Sequence, residues 1–165
     1  MVRRSIHDNL LRRSKEPRRH LQVLAGPRQT GKTTLARQVI EAAGLPAHYA
    51  SADEPTLRDR TWLEQQWELG RLKAQSAAQG ALLVLDEIQK VTHWSDCVKL
   101  LWDADTHARC PLKVVLLGSS PLLIQRGPSE SLTGRFEIIP VPHWSFGEMR
   151  EAFGWTLDQY LFYGA

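Results

Sequence analysis

The octapeptide Gly26-Pro27-Arg28-Gln29-Thr30-Gly31-Lys32-Thr33 constrains this chain more than any other stretch. It follows a short apolar run, His20 to Ala25 (HLQVLA). It precedes Lys32 to Ala43, which carries Leu35, Ala36, Val39, Ile40 and Ala43 on one helical face and is closed by Gly44 and Pro46. A strand, a glycine loop and a helix in that order fit G-x-x-x-x-G-K-[ST], the loop that wraps phosphate groups. The glycines let the backbone turn its N–H groups inward, and the helix behind them presents the positive end of its dipole. The expected anion contacts are Gly26, Pro27, Arg28, Gln29, Thr30, Gly31, Lys32, Thr33 and Thr34. Lys32 is the point charge for the β- and γ-phosphates, and the Thr33 hydroxyl is a ligand for Mg²⁺.

The pattern continues beyond the loop. Ala47 to Ala50 reads as a weak strand, and the polar stretch from Thr56 to Gln79, with Leu57, Trp62, Leu63, Trp67, Leu69 and Leu72, reads as one or two surface helices. Its tryptophans read as packing anchors. Ala81 to Leu85 (ALLVL) and Lys113 to Leu117 (KVVLL) are unbroken apolar runs, as strands buried on both faces should be. Trp94, Val98, Leu101, Trp102 and Asp105 fall at helical spacing between them, and Phe136 to Val141 is a last strand. Strands separated by helices predict an α/β fold with a mostly parallel sheet and helices on both faces. We expect three parts: a basic N-terminal helix or arm (1–19), the core (20–145) and the start of a C-terminal region (146–165).

Charge is unevenly distributed. Residues 1–20 hold seven basic and two acidic side chains, whereas the rest of the chain is slightly acidic. That arm is a candidate contact for nucleic acid or another acidic partner, or a solvated helix laid on the core through Ile6, Leu10 and Leu11. No aromatic residue is interleaved with these charges, which weakens a base-stacking surface. The longest apolar run is far below the ~18 residues that span a bilayer, and no secretory signal pattern opens the chain. The expected compartment is cytoplasmic, without membrane contact. Two cysteines, Cys97 and Cys110, form no CxxC pair and read as reduced core thiols. His93, Cys97, His107 and Cys110 do not read as one metal site, because a helix of about three turns separates the two pairs.

Asp86 and Glu87 follow the ALLVL strand at once, at the strand end where open α/β sheets bind ligands. This Walker B pattern makes Asp86 the candidate for holding Mg²⁺ and Glu87 the candidate for polarising the water that attacks a γ-phosphate. Ser119 or Ser120, after the KVVLL strand, can contact the γ-phosphate or that water. Arg126 and Arg135, late arginines in loop-like stretches, are candidates for stabilising transition-state charge.

GPRQTGKTTL, LVLDEIQKV, KVVLLGSSPLLI, ESLTGRFEIIPV and WSFGEM occur here in the order seen in a bacterial and archaeal group of AAA-type P-loop ATPases. The chain resembles that group from about His20 to Tyr163. The resemblance implies a three-layer core of the ASCE type, with the strand at 113–117 between the phosphate-loop strand and the Walker B strand. It also implies Mg-ATP binding and hydrolysis coupled to a conformational change, a protein partner or homo-oligomer, and Arg135 as the likelier arginine finger. Members of the group usually carry a further C-terminal domain, so the sequence reads as an ATPase core cut off from its effector half. Two other readings compete. A P-loop small-molecule kinase leaves Glu87 and the Gly118-Ser119-Ser120 strand end without a role. A nucleic-acid-binding module with little hydrolysis of its own would rest on the basic arm alone.

Overall fold

The computed structural model describes residues 4–53, 59–119, 132 and 134–164. Helix α1 (Ser5–Lys15) leads into β1 (Leu21–Gly26), α2 (Lys32–Ala43) and β2 (Ala47–Ser51). Then come α3 (Arg60–Gln75), β3 (Ala81–Asp86), a 3₁₀ turn (Ile88–Lys90), α4 (Trp94–Ala108) and β4 (Leu112–Ser119). Strand β5 (Phe136–Pro140) and two short helices, α5 (Phe146–Phe153) and α6 (Leu157–Tyr163), complete the fold.

The five strands form one sheet in the order β2-β3-β4-β1-β5, and every pair is parallel. Strand β4, which contains 113–117, lies between β1 and β3, as the resemblance implies. Alternation along each strand divides the core into two. Leu83, Leu85, Val114 and Leu116 pack with α3 and α4, whereas Leu82, Val84, Val115 and Leu117 pack with α1 and α2. The result is the three-layer α/β arrangement, with the β3 and β4 runs apolar because both of their faces are covered.

Between Asp59 and Gln75 the chain forms a single helix, α3, started by the Asp59 carboxylate, which accepts the Trp62 backbone N–H at 2.9 Å. Trp62, Leu63, Trp67, Gly70 and Ala74 make its buried side, while Leu69 and Leu72 face solvent. Trp67 is fully buried, and its indole N–H donates to Asp105 on α4 at 2.7 Å. Arg71 donates to the other oxygen of the same carboxylate, also at 2.7 Å. Asp105 thereby fastens α3 to α4 inside the core. Asp105→Ala leaves a buried indole N–H without an acceptor and the Arg71 charge without its partner. The expected loss is about 2 to 3 kcal/mol of unfolding free energy, read by urea denaturation.

The basic N-terminal stretch is seated on the core. Leu10 is buried against α2, with Ile6 and Leu11 packed beside it. Arg13 pairs with Glu16 and with Glu137 on β5. Arg18 lies over the Trp102 ring, 3.4 Å from its centroid, and donates to the backbone carbonyls of Trp102 and Leu112. Arg13 and Arg18 are therefore engaged within the molecule. Among the described residues, no helix is long and apolar enough to cross a membrane.

Candidate functional site

Strand β1 delivers the glycine loop to the C-terminal edge of the sheet, beside the ends of β3 and β4. Gly26 closes β1 directly against the chain leaving β5, and a Cβ there would stand 2.0 Å from the Val141 carbonyl oxygen. Only glycine fits this approach. Gln29 and Gly31 both take positive φ, +62° and +83°, which curls the loop before α2 begins at Lys32. The expected and observed limits of α2 coincide.

Lys32 is buried, and its ammonium donates to the Gly26 carbonyl at 3.0 Å and to the Pro27 carbonyl. Burial pushes its pKa below the usual lysine value, while Glu87 and Asp86 nearby pull it back up. Arg28, Gln29, Thr30, Gly31, Lys32 and Thr33 line one side of an open cleft of about 510 Å³, with Asp53, Glu87 and Lys90 opposite. Its size is that of a site for a small organic ligand. Thr34 is exposed in the first turn of α2.

The two acids after β3 have different surroundings. Asp86 is buried. Its Oδ2 accepts the Thr33 hydroxyl at 2.6 Å and the Tyr49 hydroxyl at 2.8 Å, and its Oδ1 accepts the Glu87 backbone N–H at 2.9 Å. Thr33 and Asp86 come from positions 53 residues apart, yet they make a hydroxyl–carboxylate pair at the loop, which is the donor set for a hard divalent cation such as Mg²⁺. Glu87 adopts a left-handed backbone, φ +53°, which turns it out of the strand line and into the cleft, where it is hydrogen-bonded by the Gln89 side-chain amide. Ser119 closes β4 in register with Gly26. Its side-chain hydroxyl is buried with no hydrogen-bond partner among the described residues.

A family profile described as an AAA domain matches residues 18–150, most of the chain. The chain belongs to the AAA domain family. Two curated mycobacterial relatives, uncharacterized proteins of Mycobacterium tuberculosis and Mycobacterium bovis, are each 36% identical to it over 118 residues. The match takes in 71% of this chain and 24% of either relative, so the chain spans about a quarter of their length. Among solved structures, the RuvB Holliday junction branch migration motor of Thermotoga maritima matches with a TM-score of 0.57 and 22% identity. That similarity covers 91% of this chain and 49% of the RuvB chain, and it shows a shared fold.

In this AAA domain, the residues of the loop, Asp86, Glu87 and Ser119 converge on one edge of the sheet. Arg135 does not. It precedes β5 at the opposite edge, where its backbone carbonyl accepts the Leu21 N–H. The length of β1 therefore separates it from Gly26, about 17 Å. There its guanidinium makes a two-pronged pair with Asp103, at 2.7 and 3.0 Å. Arg135 is thus remote from its own chain's loop. The residues Ser120 and Arg126 lie outside the described residues.

Three contributors are not legible from local sequence pattern: Tyr49, Gln89 and the Asp53–Lys90 ion pair. Gln89 and Lys90 lie two and three residues after Glu87, a proximity that could have marked them. Tyr49 carries no such mark. Burial and its bond to Asp86 push the Tyr49 phenol up to about 12, so it stays a donor at neutral pH. Tyr49→Phe removes one of the two hydroxyls that orient Asp86 Oδ2. We expect the Mg²⁺ concentration needed for half-maximal nucleotide binding to rise about tenfold, with folding intact, in a Mg²⁺ titration.

Proposed function

We propose that this AAA domain binds Mg-ATP and hydrolyses it, with Lys32, Thr33, Asp86 and Glu87 as the working residues. The observation that carries the reading is the convergence of Thr33 and Asp86 at 2.6 Å beneath a glycine loop whose first residue cannot bear a Cβ. Nucleotide binding is also the expectation for the family. When bound, Mg²⁺ neutralises charge on the β- and γ-phosphates. Thr33 and Asp86 would hold it, and Lys32 would supply a second positive charge to the same phosphates.

Glu87 has the right place for a general base. It lines the cleft, and the Gln89 amide fixes its carboxylate, so it can accept a proton from a water directed at the γ-phosphate. The Ser119 hydroxyl, buried and unpartnered next to Gly26, supplies a donor for a phosphate oxygen or that water. Arg135 is assigned to the site of a neighbouring copy, since about 17 Å of strand separates it from its own loop. Conformational change and partner contacts follow from turnover on this reading. Burial raises the pKa of the Cys97 and Cys110 thiols, so both stay protonated at neutral pH.

Calorimetric titration of the chain with ATP tests the binding half of the proposal. Micromolar binding that weakens when Mg²⁺ is removed is expected. No heat of binding from the folded chain would reject it.

A further inference from the structure

Arg4, at the N-cap position of α1, is 5% exposed and touches two segments far from it in sequence, the glycine loop and the stretch 142–148. Its Nη1 donates to the Thr30 carbonyl inside the glycine loop at 2.9 Å. Its Nη2 reaches the Pro142 and His143 carbonyls at 3.1 and 3.4 Å. Nε and Nη2 also grip the Glu148 carboxylate of α5, at 3.1 and 3.2 Å. The guanidinium lies 5.0 Å from the centre of the Trp144 ring. Five N–H donors on one rigid plane make such a junction possible, and no other side chain has that geometry.

The Thr30 contact has a consequence for the loop. In a trans peptide the carbonyl and the next N–H point in opposite directions. Anchoring the Thr30 carbonyl on Arg4, which is not among the residues lining the cleft, aims the Gly31 N–H away from Arg4. Thr30 and Gly31 both line the cleft. An N–H fixed in advance toward an anion avoids the reorganisation that binding would otherwise require.

The Glu148 contact carries the other half of the argument. Glu148 is the third residue of α5, and its carboxylate also accepts the Ser145 backbone N–H at 2.9 Å as part of that helix's capping box. Trp144, one residue earlier, places its indole nitrogen 3.9 Å from where a Cβ on Gly31 would stand. The Tyr160 hydroxyl of α6 donates to the Trp144 carbonyl at 2.9 Å. The loop, α1 and the α5–α6 pair therefore share one charged hub.

We propose that Arg4 is a positioning residue that couples the phosphate loop to α5, so that nucleotide in the loop and docking of α5 stabilise each other. The inference rests on the loop being a nucleotide site. Coupling of this kind is reciprocal: ADP tightens α5, and loosening α5 weakens ADP.

Hydrogen–deuterium exchange on the chain, with and without Mg²⁺ and ADP, together with calorimetric ADP affinities, tests it. In the wild type, ADP should slow exchange both in the loop (26–33) and in α5 (146–153). Arg4→Met should bind ADP about tenfold more weakly, the scale of one charge-assisted hydrogen bond, and lose the α5 protection while keeping that of the loop. Arg4→Lys, with the charge but without the fork, should resemble Arg4→Met. Glu148→Gln leaves the Thr30 contact in place, so its ADP affinity should fall less than threefold while α5 protection drops. Wild-type binding without α5 protection, or α5 protection that survives in Arg4→Met or Arg4→Lys, would overturn the coupling and leave the nucleotide site standing. A wild-type chain that binds no ADP would overturn both.

Discussion

Lys32→Ala is expected to weaken ATP binding by about 100-fold or more, enough to remove it from a micromolar titration. The ammonium is buried at the base of the loop, on the Gly26 and Pro27 carbonyls, and it lines the cleft where the phosphates would sit. The same burial already lowers its pKa, so the folded state holds this cation under a desolvation penalty. Removing it should not reduce stability. The variant is therefore expected to unfold at the wild-type urea concentration or above, which separates lost binding from lost folding. An unfolding midpoint well below wild type would mean that Lys32 acts mainly as a structural tie for the loop.

Glu87→Gln is expected to bind Mg-ATP within about threefold of wild type and to lose turnover by about 100- to 1,000-fold, the range for removal of a general base. The amide has the shape of the carboxylate and loses its basicity. Asp86, Thr33 and the loop are untouched by the exchange, so the binding machinery remains. Single-turnover phosphate release beside a binding titration separates the two quantities. Turnover at the wild-type rate would remove Glu87 from the chemistry and direct attention to another water-orienting group in the cleft.

Much of this site was readable because its signals are local. The glycine loop, the apolar face of α2 and the ALLVL and KVVLL strands are each encoded within a few residues, and the structure forms them at the expected places. Gly44, left-handed at φ +67°, ends α2 where the sequence closes it. The polar stretch from Thr56 to Gln79 reads as one or two helices, because its apolar residues are sparse. One helix forms because Trp67 and Arg71 are both drawn to Asp105, more than thirty residues ahead.

Long-range contributors were invisible for the same reason. Tyr49 meets Asp86 across 37 positions, and Arg4 meets Glu148 across 144. No periodicity records such a meeting. Arg4 sat within a run of basic residues that suggested an outward-facing arm, whereas the guanidinium points inward to the loop. Arg135 is the converse case. The sequence already places it just before the last strand of a mostly parallel sheet, and the β1–β5 register puts that strand start at the edge away from the loop.

The most direct test of the proposed activity is release of inorganic phosphate from ATP by the purified chain, with and without Mg²⁺, beside Lys32→Ala prepared in the same way. Release that requires Mg²⁺ and disappears in Lys32→Ala is the expected result. A folded wild-type chain that binds ATP and releases no phosphate, or release equal in the two proteins, would contradict the assignment of this site as a hydrolase.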